Sequence, residues 1–184
     1  MLRDAETLIS VENGEKPPTL RFFRFREPTM SYGRLQKHED VEPLRPEGWA
    51  IVQRPTGGGV VFHREDLCFS LCWKPSDAPL PDRPQDQYRW IHSVVLGALK
   101  DDVRLHMAAC CDVSKSDDPF AVRTCFQNPV GYDLLENSKK ILGGALRCTR
   151  RATLYQGSLQ MIDFPGLDVR LMSAFKILLT PGAV

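Results

Sequence analysis

The stretch Arg54-Pro55-Thr56-Gly57-Gly58-Gly59-Val60-Val61-Phe62-His63 constrains the fold more than any other part of the chain. Three consecutive glycines permit positive φ and let a ligand reach van der Waals contact with the backbone, which a run bearing side chains would prevent. Val60, Val61 and Phe62 follow at once and read as a buried strand, so the turn is pinned to a sheet. The glycines alone suit a plain hairpin turn equally well. Arg54 and His63 add weight to a ligand site, because they bracket the loop with a permanent cation and a group that titrates near neutrality.

Composition sets the outer bounds. A chain of 184 residues suits one domain with a sizeable core. With 26% charged residues and a formal net charge of +1, nothing in the global balance points to nucleic acid, so any electrostatic steering must come from local clusters. No apolar run approaches the length that spans a bilayer, and Met1-Leu2-Arg3-Asp4-Ala5-Glu6 lacks the apolar core of a signal peptide. The expectation is a cytoplasmic protein with neither a membrane nor a nucleic-acid partner.

In a reducing compartment the cysteines stay as thiols. Cys68 and Cys72 sit in an alternating strand pattern without a nearby second ligand pair, so they read, with Cys110 and Cys111, as small buried apolar residues. No metal site is expected, with zinc as the minority alternative. Cys148 is a candidate for exposure.

Taken in order, Leu2, Ala5, Glu6 and Ile9 have the spacing of a short amphipathic helix. Its start at the first residue leads us to expect a chain short at its N-terminal end. Leu20 to Phe25 and Trp49 to Val52 read as strands. Val60 to Phe62 and Leu67 to Trp73 read as two antiparallel strands joined by Arg64-Glu65-Asp66. Leu67, Phe69, Leu71 and Trp73 share one face of the second, opposite Ser70 and the cysteines. After a proline-rich connection, Tyr88, Ile91, Val95, Ala98 and Leu99 fall at helical spacing, with His92 expected on the helix surface. Leu167, Leu171, Ala174, Phe175 and Leu178 mark a last helix.

A second informative region runs from Cys125 to Ala145. Tyr132 to Leu135 suggests a strand, Glu136-Asn137-Ser138 a hairpin turn, and Lys140 to Arg147 the returning strand. Gly143 and Gly144 weaken that strand locally and often mark a place where a ligand or another backbone comes close. Lys140 then stands beside the gap, either as a solvated charge or as a functional amine in a desolvated setting.

Together, the Arg54 to His63 stretch, the Cys-Phe-x-x-Pro beginning at Cys125, the Asp-Leu-Leu-x-x-x-Lys-Lys-Ile-x-Gly-x-Ala from Asp133 to Ala145 and the Gln-Gly-Ser-Leu at Gln156 to Leu159 resemble the lipoate-protein ligase and octanoyltransferase family. The resemblance runs from Asp4 and Ser31-Tyr32-Gly33 to Gly157-Ser158. Around Cys125 it leans towards the cysteine-dependent octanoyltransferases. It implies an α/β (α+β) domain, with a mixed, mainly antiparallel sheet flanked by helices, shared with biotin protein ligases. One such catalytic domain would occupy 1–184, short at both ends and without the C-terminal accessory domain of the two-step ligases.

What the resemblance implies about chemistry is equally specific. Cys125 matches the acyl-carrying nucleophile and Lys140 the lysine at the thioester carbonyl. Arg54, Thr56, Gly57, Gly58, Gly59, His63, Gly143, Ala145, Gln156, Gly157 and Ser158 would form the substrate site. The octanoyl or lipoyl group would pass from acyl carrier protein to a lysine of a lipoyl domain or of a glycine-cleavage H-type carrier, with no cofactor; ATP and Mg belong only to the ligase alternative. An ammonium near Cys125 would bring its pKa from ~8.5 into the ~3.5–7.5 range, poising the thiolate for attack. No free carboxylate near Lys140 stands out as a base for the incoming amine. Arg147, Arg150 and Arg151, with Arg21 and Arg24, form a candidate docking patch for acidic carriers.

Two positions depart from the family pattern. Gln156 stands where relatives commonly have His, and Arg64 follows His63 where an Asp is common. Three readings therefore stay open: a Cys/Lys acyltransferase, an ATP-dependent ligase catalytic domain that needs an accessory chain, and a non-catalytic relative that binds acyl groups or carrier domains.

Overall fold

The computed structural model describes residues 1–77, 80–99, 104–109, 129–160 and 166–179. Its elements in chain order are α1 (Leu2–Glu12), β1 (Thr19–Phe23), β2 (Thr29–Tyr32), the short α2 (His38–Val41), β3 (Ala50–Gln53), β4 (Val61–His63), β5 (Leu67–Trp73), α3 (Pro84–Leu99), β6 (Leu105–Met107), β7 (Leu134–Glu136), β8 (Lys139–Cys148), β9 (Thr153–Leu159) and α4 (Leu167–Leu179). Among the described residues, no helix is long and apolar enough to cross a membrane.

Two sheets form, of six strands in the order β1-β5-β9-β8-β7-β6 and of three in the order β3-β2-β4, among the described residues. All pairings are antiparallel except β2 with β3. The expected mixed, mainly antiparallel α+β architecture is therefore what the chain adopts. One expectation fails. β4 and β5 do not pair with each other, because β4 joins β2 in the small sheet while β5 lies between β1 and β9 in the large one. Arg64-Glu65-Asp66 is thus the crossing between two sheets, and it carries Asp66 into the gap between them.

Alternation along β5 and β9 divides the interior. Leu67, Phe69, Leu71 and Trp73 face the main core with Tyr155, Leu159, Ile91, Val95 and Leu99 of α3, and Leu167, Leu171 and Phe175 of α4. Burial of this many large apolar side chains, at roughly 1.5–3 kcal/mol each, is what holds α3 and α4 against the sheet. On the other face Cys72 and Leu154 pack against Leu8 and Val11 of α1, with Ala152.

The phase of α1 differs from the sequence expectation. Leu2 and Ile9 are exposed, and the buried stripe is Asp4, Leu8 and Val11. That spacing is helical, but hydrophobicity cannot reveal it when a carboxylate belongs to the stripe. His92 also departs from expectation: it is fully buried in α3. Its Nδ1 bonds the Tyr132 carbonyl at 2.8 Å and its Nε2 meets the Tyr155 hydroxyl at 2.7 Å. Burial lowers its pKa to about 3, more than the Tyr132 hydrogen bond restores.

Candidate active site

Register places the site. Cys68 and Ser70 on β5 pair with Ser158 and Gln156 on β9, which in turn pair with Gly143 and Ala145 on β8. Residues opposite one another share a face, so this row faces away from the main core. With Met1, Phe23, Arg54, Val61, His63, Gly144 and Gly157, all of these except Ser70 line a pocket with about 410 Å³ of empty space, part of it open to solvent. The small sheet supplies the opposite wall.

Arg54 ties the glycine turn to that wall. Its Nη1 donates to Ser31 Oγ at 2.7 Å, and its Nη2 donates to the Gly57 and Gly59 carbonyls at 3.2 and 2.6 Å. A Cβ at Gly33 would collide with the Gly58 carbonyl, so the turn closes on a second glycine. Gly58 itself has φ +90°, which glycine adopts without strain. The carbonyls of the turn are therefore committed to Arg54.

From Ser31 the chain of contacts continues inward. Ser31 Oγ and His63 Nε2 are 2.6 Å apart, and His63 Nδ1 is 2.7 Å from Asp66 Oδ2. A carboxylate can only accept, so Nδ1 carries the proton of that bond. Asp66 Oδ2 also accepts from Ser158 Oγ at 2.6 Å and from Cys68 Sγ at 3.2 Å. Burial pushes the Asp66 carboxyl up, but the His63, Ser158 and Cys68 interactions outweigh it and leave the group below its ordinary value. Burial, and then the Asp66 charge, push the Cys68 thiol well above its ordinary value. Cys68 is therefore a held S–H donor, unlike an activated nucleophile. His63, Asp66 and Cys68 present ligand-type atoms within 4.8 Å of one another. Those atoms are already satisfied by the hydrogen bonds just described.

Gln156 links two distant segments. Its Nε2 donates to Asp4 Oδ2 at 2.6 Å and its Oε1 accepts from Thr56 Oγ1 at 2.7 Å. Asp4 Oδ1 further accepts from Ser70 Oγ at 2.8 Å and from Arg21 at 3.0 Å (Nε) and 2.6 Å (Nη2). A fully buried carboxylate is tolerable only with partners of this kind. A neutral amide fits here because it donates to Asp4 and accepts from Thr56 at once.

The lysine sits at the far end of the same row. Lys140 is buried, and its Nζ lies 2.8 Å from Asp133 Oδ2. Asp133 also accepts from the Tyr88 hydroxyl at 2.6 Å and from the Val130 N–H at 2.7 Å, and the Tyr88 oxygen accepts from the Gly144 N–H at 3.0 Å. The pairing of β7 with β8 shifts register between Leu134 and Leu135. Such a bulge re-aims side chains, and here the Lys140 chain lies across Gly143, where a Cβ would collide with its Cε. At Gly144 a Cβ would run into the Tyr155 hydroxyl, and at Gly157 it would come within 2.7 Å of that oxygen. The strand glycines thus make room for the protein's own Lys140 and Tyr155.

The structure brings Arg54, His63, Gly143, Ala145, Gln156, Gly157 and Ser158 onto one pocket. Thr56 reaches it through Gln156, and Gly57 and Gly59 through Arg54. Lys140 does not line it; its side chain lies against Gly143, which does. Cys125, Cys110 and Cys111 lie outside the described residues. The carboxylate beside Lys140 is Asp133, a buried partner already bound by three donors, so it is not a free base. Cys68 is more than packing, since it lines the pocket and donates to Asp66. Arg21 and Arg24 are engaged elsewhere, with Asp4 and with the Glu65 carbonyl. Ser31, Asp66, Asp4 and Tyr88 were missed as site residues.

Comparison with known proteins gives this geometry a context. The model of the lipoyl protein ligase A/B catalytic domain matches residues 2–172. Octanoyltransferase LipM of Kyrpidia tusciae is 32% identical over 99% of the chain, and that of Geobacillus kaustophilus is 32% identical over 89%. The chain spans 66% and 60% of the length of those two relatives. A lipoate-protein ligase A solved with ATP superposes with a TM-score of 0.69 at 21% identity, covering 96% of this chain and 78% of that one.

Proposed function

Since the chain belongs to the lipoyl protein ligase A/B catalytic-domain family, we propose that it is an acyltransferase that moves an octanoyl or lipoyl group from an acyl carrier protein to a lysine of a lipoyl-type carrier domain. The names of its relatives support octanoyl transfer. The observation that carries the reading is Lys140, a buried amine held by Asp133 directly behind Gly143, a residue that lines the pocket.

In this reading the Cys125 thiolate attacks the donor thioester carbonyl, the new C–S bond forms, and the donor thiolate leaves and takes a proton. The acceptor lysine, as a neutral amine, then attacks the Cys125 thioester, an amide C–N bond forms, the Cys125 thiolate is released, and the proton lost by the nitrogen passes to solvent, replacing the one the donor thiolate took. No electrons are exchanged with a second reactant, and no cofactor is needed. Asp133 holds the Lys140 amine in place, and three donors on its carboxylate leave it poorly suited to act as a base. Lys140 then serves as a fixed positive donor for the carbonyl oxygen as charge develops, an effect of the size of an oxyanion-hole donor, ~3 kcal/mol. The apolar stretch of pocket wall at Phe23 and Val61 would take the acyl chain, and the Arg54 to Asp66 network keeps that wall rigid.

The test is transfer without nucleotide. Purified protein, octanoyl-acyl carrier protein and a lipoyl domain should give the octanoylated domain in the absence of ATP, read by intact mass. Modification that appears only with free lipoate and ATP would favour the ligase reading, and no modification under either condition would favour the non-catalytic one.

A further inference from the structure

Building on the transfer reading, we propose that a second groove, which shares two lining residues with the acyl pocket, binds the phosphate of a phosphopantetheine arm that delivers the acyl group. The groove has about 670 Å³ of empty space, open on one side, and it shares Arg54 and Met1 with the pocket. Three arginines, Arg34, Arg54 and Arg147, line it together with the apolar Leu2, Val52 and Pro55. None of its described lining residues is acidic or aromatic.

The three cations are in different states. Arg54 is fixed by Ser31 and the glycine turn. The Arg34 side chain is exposed and makes no hydrogen bond or ion pair among the described residues. Arg147 is half-buried and makes one long contact, 3.5 Å, to the Pro55 carbonyl. Two weakly engaged guanidinium groups beside an apolar wall suit a ligand that is mostly uncharged and carries one anionic group. Arginine matches phosphate oxygens with paired N–H donors, and such charge-assisted bonds are about twice as strong as neutral ones. A nucleotide would want a stacking partner for its base, and no aromatic ring is among the described residues that line this groove. A phosphopantetheine arm has no ring; it has amides, an apolar stretch, a phosphate at one end and the thioester at the other. With the acyl chain in the pocket, the groove beside it, across Arg54 and Met1, is where such an arm would run.

Calorimetric titration with 4′-phosphopantetheine and with pantetheine tests the assignment directly. Wild type should bind the phosphorylated compound at least about tenfold more tightly, the scale of one charge-assisted hydrogen bond. In the double variant Arg34→Gln, Arg147→Gln the preference should fall to within about twofold, and added salt should weaken the wild-type preference. Gln keeps a polar group at both solvent-accessible positions without the charge, so loss of fold is not expected, and a circular dichroism spectrum checks it. Equal affinity for the two compounds in wild type, or a preference retained by the double variant, would overturn the proposal. Transfer assayed in parallel separates the two failures. Octanoyl transfer without a phosphate preference sinks the groove alone, whereas a phosphate preference without transfer sinks the transfer reading alone.

Discussion

Lys140 Nζ stands 2.8 Å from Asp133 Oδ2, with both side chains buried. Removing the charge of one partner leaves the other uncompensated, which for buried pairs costs about 3–5 kcal/mol. Asp133→Asn should therefore lower stability by roughly 3 kcal/mol, and it should also lower kcat/KM for transfer by at least about a hundredfold by freeing Lys140 to leave its position. Urea unfolding midpoints and initial transfer rates check the two parts separately. A variant with wild-type rates would show that Lys140 needs no fixed partner.

Neighbouring glycines should fail in different ways. At Gly143 an added methyl meets the end of the Lys140 side chain, so Gly143→Ala should displace the amine from Asp133, cost transfer heavily and lower stability by roughly 3 kcal/mol, as loss of the buried pair does. At Gly144 the methyl meets the Tyr155 ring in the packed core, so Gly144→Ala should cost about 1–3 kcal/mol of stability. Thermal melts and transfer rates measured on both variants decide whether the two positions separate.

How much of this was legible in the sequence depends on the distance over which each choice is made. Helix and strand positions, the β7–β8 hairpin and the gap at Gly143 and Gly144 follow from local periodicity and from glycines where side chains are expected, whereas Ala145, Gln156, Gly157 and Ser158 are named through the family resemblance. The buried charges follow from neither. Asp4 reads as an ordinary first-turn acid until its partner Gln156, 152 residues away, is known. His92 reads as surface because a polar group on an apolar helix face is exposed unless something distant, here Tyr155 and Tyr132, satisfies it. The separation of β4 from β5 was hidden because a three-residue polar link serves a hairpin or a sheet crossing equally well.

Acid should unfold this protein through His92. Its folded pKa, about 3, lies below the ordinary value of 6.5, so the stability it contributes is complete above pH 6.5 and is lost as pH falls from there towards 3. The limiting slope is about 1.4 kcal/mol per pH unit. His92→Gln should be less stable than wild type at pH 7.5 and should lack that part of the acid slope. Denaturant midpoints at pH 7.5, 6 and 5 test it, and parallel slopes for the two proteins would contradict it.

Carrier docking should depend on the exposed turn after β8. Arg150 and Arg151 are exposed there, with Arg151 only 4.0 Å from Glu12. Reversing both to Glu should weaken transfer from an acidic carrier through KM, by about tenfold at low salt and less at high salt. If KM and its salt dependence are unchanged, this turn is ordinary solvated surface.

The central claim is that the acyl group rests on Cys125 before it reaches the acceptor lysine. Incubation with octanoyl-acyl carrier protein alone, followed by peptide mapping, should find one octanoyl adduct on Cys125, labile to hydroxylamine, and none on Cys68, whose thiol is held protonated beside Asp66. Cys125→Ser should carry little or no adduct, and Lys140→Ala should acquire it slowly. An unlabelled Cys125 in a wild-type protein that still modifies a lipoyl domain, or full ligation from lipoate and ATP by Cys125→Ser, would contradict the account.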